Sequence, residues 1–370
     1  MKPYILVEPF AGMTALSFAV MGCKPPISWM GSKRGYTGVL MDLLGLSKHK
    51  PPVAFIWSDV GPNVAALATL AGARGDARDV AGWVWHSAQA YSPAKAGTLQ
   101  GLYIRTNNKQ NISTSQLSAN VADITLPRAP EVAAIIRTWK DEEPRALWER
   151  LKAAGWPSLM PPKGMRWGQP VLGRWLGPCD VREVAGFLAF SVRDHHGGGS
   201  FAPPTRWNHD NRNGKGGYEQ VRYLPDDPAP ALDALPSRWP RVACYQGTAT
   251  RMVEQLPGDL SGFVVYVDGP YHGDGSRKIT GYKFGGCSRE EQLAMAADCH
   301  RRGARVAMSE SVPLAAELRA LTGAEWWEVD ITEHREGQSR TFGATREYVT
   351  LNAAPKHMRG TQQGLFGGAR

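Results

Sequence analysis

Residues 262–271 read Gly-Phe-Val-Val-Tyr-Val-Asp-Gly-Pro-Tyr, and this stretch decides the fold. Its run of β-branched and aromatic residues predicts a buried strand, which the Gly-Pro pair after Asp268 ends. In an open α/β sheet, ligands bind at the carboxyl ends of strands. The stretch therefore predicts that Asp268 and Tyr271 lie at the edge of a ligand site, although an ordinary Gly-Pro turn is the simpler interpretation.

A second strand and turn open the chain. Residues 4–8 predict a strand that ends in Glu8, and Pro9-Phe10-Ala11-Gly12-Met13-Thr14 leads from it into a helix over residues 15–21. A strand, a small-residue turn and a helix form the geometry in which a nucleotide-like ligand approaches backbone amides. The segment is therefore a candidate cofactor site, although such turns are common in any α/β protein.

A third strand, predicted over residues 53–57, is followed by Asp59. An acidic residue after the second sheet strand accepts hydrogen bonds from ribose hydroxyls in dinucleotide-binding folds. Asp59 could also cap the helix predicted over residues 64–70. The sequence is compatible with both roles.

Strands and helices alternate again after residue 241. Further strands are predicted over residues 242–246, 263–267, 305–310, 325–331 and 346–351. Together with the two N-terminal strands they predict an α/β fold with a seven-stranded, mostly parallel, doubly wound Rossmann-like sheet. The stretch 83–240 lacks this alternation and predicts a mostly helical or irregular insertion, with a helical patch over residues 131–153.

The composition is that of a basic globular protein. The 370 residues carry 43 Lys and Arg against 34 Asp and Glu, and the net charge of +9 favours a polyanionic partner. The five cysteines lack the spacing of a zinc site or a disulfide framework, and His195-His196 lacks further ligands, so no metal is expected. Without a signal peptide or an apolar run of membrane length, a soluble cytoplasmic protein is predicted.

Three segments of the chain resemble motifs of the Dam-like (D12 class) DNA adenine-N6 methyltransferases, many of which are phage-borne. The run Asp268-Gly269-Pro270-Tyr271 is similar to their Asp-Pro-Pro-Tyr motif, with Gly269 in place of the first proline. Glu8-Pro9-Phe10-Ala11-Gly12 resembles motif I, with Thr14 where a second glycine usually stands. Trp29-Met30-Gly31-Ser32-Lys33 resembles a Gly-Ser-Lys segment that normally precedes motif I and here follows it.

The resemblance implies transfer of a methyl group from S-adenosylmethionine to N6 of a flipped-out adenine in DNA. The implied catalytic residues are Asp268, Gly269, Pro270 and Tyr271. The Asp268 carboxylate and the Gly269 carbonyl would accept hydrogen bonds from the amino group, and Tyr271 would stack on the base. The implied cofactor-binding residues are Glu8, Pro9, Phe10, Ala11, Gly12, Met13, Thr14, Trp29, Lys33, Asp59 and Asp268. Because every residue has a carbonyl, Gly269→Pro is expected to keep or raise activity.

The resemblance also suggests a division of the chain. Residues 1–82 would be the cofactor-binding part of the methyltransferase domain, 83–240 a target-recognition insertion, 241–354 the catalytic part and 355–370 a flexible tail. Polar and cationic side chains of the insertion are candidate DNA contacts, since such groups bind phosphates. They are Arg105, Asn107, Lys109, Arg206, Arg212 and Lys215. The tail run Gln362-Gln363-Gly364-Leu365-Phe366 resembles the peptide by which bacterial DNA enzymes bind the replication sliding clamp.

The sequence is compatible with other activities. Cytosine-N4 methylation would use the same residues, and Gly269 would leave room for transfer of a group larger than methyl. Cytosine-C5 methylation needs a cysteine nucleophile, for which Cys179 in Pro178-Cys179 is the candidate. A non-catalytic DNA-binding relative of the same fold is the alternative from a different class.

Overall fold

A computed structural model describes residues 4–26, 33–61, 63–73, 127–139, 142, 144–153, 173–191, 228–272, 287–334 and 346–355. Within them, one sheet contains the strands β1 (Ile5–Glu8), β2 (Ala54–Asp59), β3 (Arg174–Leu176), β4 (Arg241–Gln246), β5 (Phe263–Val267), β6 (Arg305–Glu310), β7 (Trp327–Asp330) and β8 (Tyr348–Leu351). The α-helices are α1 (Ala15–Val20), α2 (Thr37–Leu44), α3 (Asn63–Ala71), α4 (Ala129–Thr138), α5 (Pro144–Ala153), α6 (Val181–Ser191), α7 (Pro228–Asp233), α8 (Ala249–Glu254), α9 (Arg289–Arg301) and α10 (Ala315–Thr322). Two 3-10 helices span Lys33–Tyr36 and Thr332–His334.

The order of strands across the sheet is β3-β4-β2-β1-β5-β6-β8-β7. The central strands β4, β2, β1, β5 and β6 are parallel. From β1 the chain builds outward to β2 and β4 on one side and then to β5 and β6 on the other, so the order reverses between β1 and β5. Such a switch point opens a crevice at the carboxyl ends of the two strands. Those ends deliver Glu8 and Asp268.

The central strands are apolar over most of their length because helices cover both faces of the sheet, and their polar residues lie at the ends. On one face Leu6, Val264 and Tyr266 pack with residues of α1 to α4, α6 and α7. On the other face Val7 and Val265 pack with residues of α8, α9 and α10. All five residues of β5 are buried, as expected for a parallel strand covered on both sides. Burial on both faces fixes the position of the turn after Val267.

The α/β class and the mostly parallel sheet, compatible with a Rossmann-like fold, are confirmed, but the count of seven strands is wrong. The described residues form eight, and the additional one is β3, which pairs antiparallel with β4. Its three residues are too few for a periodic pattern, so the sequence placed them in a helical or irregular region. A Cβ on Gly173, just before β3, would overlap the Tyr245 ring. This close approach requires glycine.

The helical patch predicted over residues 131–153 consists of two helices, α4 and α5. The second begins at Pro144, which suits the first position of a helix and disfavours helical geometry in the residue before it. Residues of α4, α6 and α7 share one hydrophobic cluster with α3. This part of the predicted insertion therefore packs against the sheet. The domain boundaries themselves stay predictions.

Candidate active site

The turn after β1 is joined to the end of β2 by hydrogen bonds. The Ala11 N–H donates to the Ser58 carbonyl at 2.7 Å, and the Gly12 N–H donates to Asp59 Oδ2 at 2.9 Å. Asp59 Oδ1 accepts from the Gly61 N–H at 2.8 Å, and the Asn63 amide donates to the Gly12 carbonyl. Asp59 thus links two turns and is not seen to cap α3 among the described residues. Its ribose-binding role stays a prediction.

Thr14 lies in the left-handed region of the backbone, with φ 48° and ψ 49°. Glycine prefers this region, and a β-branched residue there is strained. The motif-I pattern has glycine at this position, so the structure gives a physical reason for that preference. Thr14 Oγ1 is also buried without a hydrogen-bond partner among the described residues. Asn63 Oδ1 is likewise buried and has no hydrogen-bond partner among the described residues.

We expect Thr14→Gly to stabilise the protein relative to Thr14→Ala by about 1 kcal/mol, because both remove the hydroxyl and only glycine relieves the left-handed strain. The measurement is the free energy of unfolding by urea. The matched control is Ala320→Gly on the exposed surface of α10, where glycine is expected to destabilise by about 1 kcal/mol. A Thr14→Ala variant as stable as Thr14→Gly would show that this backbone position costs nothing.

Glu8, at the end of β1, is a buried carboxyl group with an internal partner. Glu8 Oε2 accepts hydrogen bonds from the Ser17 N–H at 3.2 Å and from the Ser17 hydroxyl. Ser17 Oγ in turn accepts from Trp57 Nε1 at 2.9 Å. Burial raises the pKa of Glu8 to about 8, with a smaller contribution in the same direction from the charge of Asp268, and the Ser17 bonds oppose the shift. Near neutral pH, a large fraction of Glu8 is therefore protonated.

The raised pKa of Glu8 predicts that stability falls as the pH rises from about 4.5 to about 8, since the folded state binds the proton more tightly than the unfolded chain. Glu8→Gln, a neutral side chain of the same shape, should flatten this fall and stabilise the protein at pH 8 by a few kcal/mol. The free energy of unfolding measured across this pH range provides the check. Glu325→Gln, at an exposed position, is the matched control. Parallel curves for wild type and Glu8→Gln would contradict the prediction.

The turn after β5 is held by Lys33 from the 3-10 helix that precedes α2. Lys33 Nζ lies 2.9 Å from Asp268 Oδ1, and its side chain is 8% exposed. The same ammonium lies 3.8 Å from Glu347 Oε1 and 4.4 Å from the centroid of the Tyr271 ring. One face of this ring is therefore covered by a cation, a favourable arrangement for both groups. The predicted base stacking by Tyr271 would need the opposite face.

Further side chains fix the residues after Asp268. The Tyr271 hydroxyl donates to Glu347 Oε1, and the His272 N–H donates to Glu310 Oε2 at 2.8 Å. The Gln292 amide, in the first turn of α9, donates to the Pro270 carbonyl at 2.9 Å. Among the described residues no donor reaches the Gly269 carbonyl. The turn is thus fixed on several sides while this carbonyl is left for another partner.

Carboxyl groups outnumber cationic side chains around the turn among the described residues, with Asp268, Glu347 and Glu310 near it. Burial raises the pKa of Asp268, and the Lys33 charge opposes that shift. Burial raises the pKa of Glu347 to about 7, again against Lys33. Burial likewise raises the pKa of Tyr271, so its hydroxyl stays a donor. The site is therefore suited to a ligand that carries a positive charge and can accept hydrogen bonds from Lys33.

The structure brings the two predicted motifs together at the switch point. The strand β1 pairs with β5 and leads into the β1 turn (Glu8, Pro9, Phe10, Ala11, Gly12, Met13 and Thr14). Lys33 contacts Asp268 although its segment follows motif I in the sequence. Ala11 and Met13 are buried in the core, so their side chains are structural. Several predicted residues lie outside the described residues: Trp29, Arg105, Asn107, Lys109, Arg206, Arg212, Lys215 and the tail run 362–366.

Sequence reasoning missed four residues of this site: Asn63, Gln292, Glu310 and Glu347. Glu310 ends a predicted strand, so its position at the ligand edge of the sheet was available from the sequence. Glu347 precedes β8, and it reaches the same edge because β8 runs antiparallel to β6, with Tyr348 opposite Glu310. Nothing in the spacing of Gln292 signals its contact with the turn.

Cys179, the candidate nucleophile for cytosine-C5 methylation, lies away from this site. The sequence placed Cys179 in an irregular region, but the residue follows a sheet strand, β3. This strand is antiparallel to β4, with Leu176 opposite Cys244 and Arg174 opposite Gln246. The chain therefore leaves β3 toward the amino ends of the parallel strands, the edge opposite Asp268. Burial also raises the pKa of the Cys179 thiol, which disfavours the reactive thiolate. Both observations argue against this activity.

No protein-family model matches the chain, and no curated protein matches it. All five cysteines lie within the described residues, and each is a free thiol. The described parts of the chain contain no group of three or more His, Cys, Asp or Glu side chains placed to hold a metal ion. In the same parts, no helix has the length and apolar character needed to cross a membrane.

Proposed function

We propose that the protein is an S-adenosylmethionine-dependent DNA methyltransferase that modifies the N6 amino group of adenine. The observation that carries the proposal is the position of Asp268 and Gly269. They follow β5 at the switch point of the sheet, beside the Gly12 turn that follows β1. The antiparallel β8 between β6 and β7 also supports it, since Rossmann-like methyltransferases end in such a strand.

The residues at the switch point fit S-adenosylmethionine. Two buried polar atoms beside the Gly12 turn, Thr14 Oγ1 and Asn63 Oδ1, have no partner among the described residues. Lys33 could bind the carboxylate of the cofactor, and the carboxyl groups of Asp268 and Glu347, where ionised, would favour its positive charges. When bound, the cofactor supplies an electrophilic methyl group. The Gly12 turn and Lys33 would hold it beside Asp268.

The protein's own residues would make the amino nitrogen of adenine nucleophilic. The ionised Asp268 carboxylate accepts one N–H of the amino group and the Gly269 carbonyl accepts the other, so the nitrogen lone pair is released from the ring toward the methyl group. The nitrogen would attack the methyl group that the bound cofactor supplies, with the neutral thioether as the leaving group, and would then lose its extra proton to water. Tyr271 stacks on the flipped base with the face that Lys33 does not cover. Base stacking of this kind contributes about 1–3 kcal/mol.

The structure bears on the alternatives. Transfer of a larger group was an option because glycine at position 269 leaves space, but the Gln292 side chain fills this space. Cytosine-N4 methylation would use the same acceptors and is an outcome of the experiment below. DNA as the substrate, the target-recognition residues of the insertion and clamp binding by the tail are part of the proposal and stem from the sequence.

The test is incubation of the full chain with unmethylated genomic DNA and methyl-labelled S-adenosylmethionine, followed by mass spectrometry of the nucleosides. We expect label in N6-methyldeoxyadenosine and none with Asp268→Asn. Label in N4-methyldeoxycytidine would reassign the base. Cofactor binding without transfer to any base would contradict the proposal and favour the non-catalytic relative.

A further inference from the structure

Gln292 is buried against the candidate catalytic turn and bonds to its backbone. It is 1% exposed. Its amide nitrogen lies 2.9 Å from the Pro270 carbonyl and 3.3 Å from the Cys287 carbonyl. An amide nitrogen has two N–H donors, so these two carbonyls use both of them. Two carbonyl acceptors on one side also determine which end of the amide faces them.

The His272 ring completes this arrangement. Its Nε2 lies 2.8 Å from the Cys287 carbonyl, which can only accept, so the tautomer with a proton on Nε2 is the one that bonds there. The contact of 3.2 Å between this nitrogen and the Gln292 amide nitrogen then joins two donors and adds no bond. Gln292 is therefore directed to the backbone of the turn and not to the histidine.

The side chain of Gln292 also occupies the space beside Gly269. A Cβ built on Gly269 would lie less than 3.0 Å from three atoms of the Gln292 amide group, Oε1, Cδ and Nε2. Gly269 is not one of the described glycines that have a positive φ. Its backbone conformation is therefore open to other residues, and it is the lack of room beside it that favours glycine. Moving Gln292 aside would leave the Pro270 carbonyl without this donor, and the amide without its two acceptors.

Helix α9 holds Gln292 in place. Ser288 and Glu291 form reciprocal hydrogen bonds at its first turn, a capping box. Arg289 Nη2 lies 2.7 Å from Glu317 Oε1 on α10. Gln292 thus extends from a helix end that is itself held in place. A side chain that orients a neighbouring turn needs such a fixed base.

We propose that Gln292 is the positioning residue of the Asp-Gly-Pro-Tyr turn, where it takes over the rigidity that a proline at position 269 would supply. By holding the Pro270 carbonyl it fixes the peptide plane between Pro270 and Tyr271. Because the proline ring also fixes φ of Pro270, this restrains the preceding peptide plane, and with it the direction of the Gly269 carbonyl that would accept from the base. The inference rests on the proposed function for its catalytic consequence. The coupling between positions 269 and 292 is independent of that function.

Gln292→Met keeps the length of the side chain and removes both donors. We expect it to lower kcat by about 100-fold, the typical effect of a small misplacement of reacting groups, with little change in KM for DNA or in the Kd for S-adenosylmethionine. Gln255→Met is the matched control, because the Gln255 amide also bonds other side chains, Tyr245 and Trp175, but lies on α8's C-terminal end and not at the turn. It should lower the melting temperature without lowering kcat of the folded enzyme. An unchanged kcat in Gln292→Met, or a loss no larger than the loss of folded protein, would overturn the positioning role.

The coupling is tested by a double-mutant cycle at positions 269 and 292. Gly269→Ala should lower the melting temperature, and it should lower it by less in a Gln292→Ala background because the Cβ then has room. Gly258→Ala is the control, since nothing lies within 4 Å of a Cβ at that glycine. Additive melting shifts would contradict the steric coupling. Absence of transfer in wild type, with the coupling present, would overturn the proposed function and leave the structural part standing.

Discussion

Asp268→Asn is expected to lower the rate of methyl transfer by about 100- to 1000-fold, the usual effect of removing one polar group that acts on developing charge. Lys33 Nζ lies 2.9 Å from Asp268 Oδ1 and can only donate. The carbonyl oxygen of an asparagine would therefore face Lys33, and its NH2 group would face the amino group of the base. Two donors would then oppose each other where a donor and an acceptor are needed.

The matched control is Asp259→Asn, near the other end of the same strand. Asp259 accepts from the Ser261 N–H at 2.9 Å before β5 begins, on the edge of the sheet away from the candidate site. Both variants are compared with wild type in single-turnover rate, affinity for S-adenosylmethionine and melting temperature. We expect only Asp268→Asn to lose the rate, with cofactor affinity nearly unchanged. A folded Asp268→Asn variant with the wild-type rate would remove Asp268 from the mechanism.

Much of the fold could be predicted because the central strands are buried on both faces. Burial of this kind leaves continuous apolar runs such as residues 263–267, which a sequence shows directly. The edge strand β3 left no such run, since three residues that pair on one side only need little apolar surface. The break between α4 and α5 could have been predicted from Pro144. The antiparallel direction of β8 could not, because the direction of a strand depends on its partners in space.

The residues of the candidate site also fall into those that could be predicted from the sequence and those that could not. Asp268, Gly12 and Lys33 follow recognisable local patterns, and the sheet topology brings them to one edge. Gln292 and Glu347 act through contacts between elements that are remote in sequence, and no local spacing encodes such contacts. The expectation that Gly269→Pro keeps activity failed to include Gln292. A proline ring would meet the amide group that fills the space beside Gly269, so we now expect that substitution alone to be harmful.

Lys33→Met should have the largest effect on stability, with a pH dependence of defined sign. Lys33 and Asp268 are both mostly buried, with 8% and 17% of their side chains exposed. Breaking a buried ion pair by removing one partner costs about 3–5 kcal/mol, because the remaining charge is uncompensated. Without Lys33, the largest influence that lowers the pKa values of Asp268 and Glu347 is lost, so both should rise above their already raised wild-type values. The carboxyl groups of the folded variant would then hold protons that the unfolded chain releases.

The difference in proton binding between the folded and the unfolded state determines the pH range in which the stability is lost. In the window above the pKa of an unfolded carboxyl group, about 4, the folded variant binds more protons than the unfolded chain, so its stability falls as the pH rises. The difference between wild type and Lys33→Met should be small near pH 5 and should grow as the pH rises past the folded-state pKa values of the wild type, of which that of Glu347 is about 7. Transfer by the variant should also need a higher pH, because an ionised Asp268 is a stronger acceptor for the base amino group than a protonated one.

Urea unfolding at several pH values, together with the pH profile of single-turnover transfer, measures both effects. Lys48→Met, at an exposed position, is the matched control and should change neither. In Lys33→Met, the further change Glu347→Gln should restore part of the stability at pH 8, since it removes one of the uncompensated carboxylates. A stability difference that does not depend on pH, or a double variant no more stable than Lys33→Met, would show that Lys33 does not control the ionisation of this cluster.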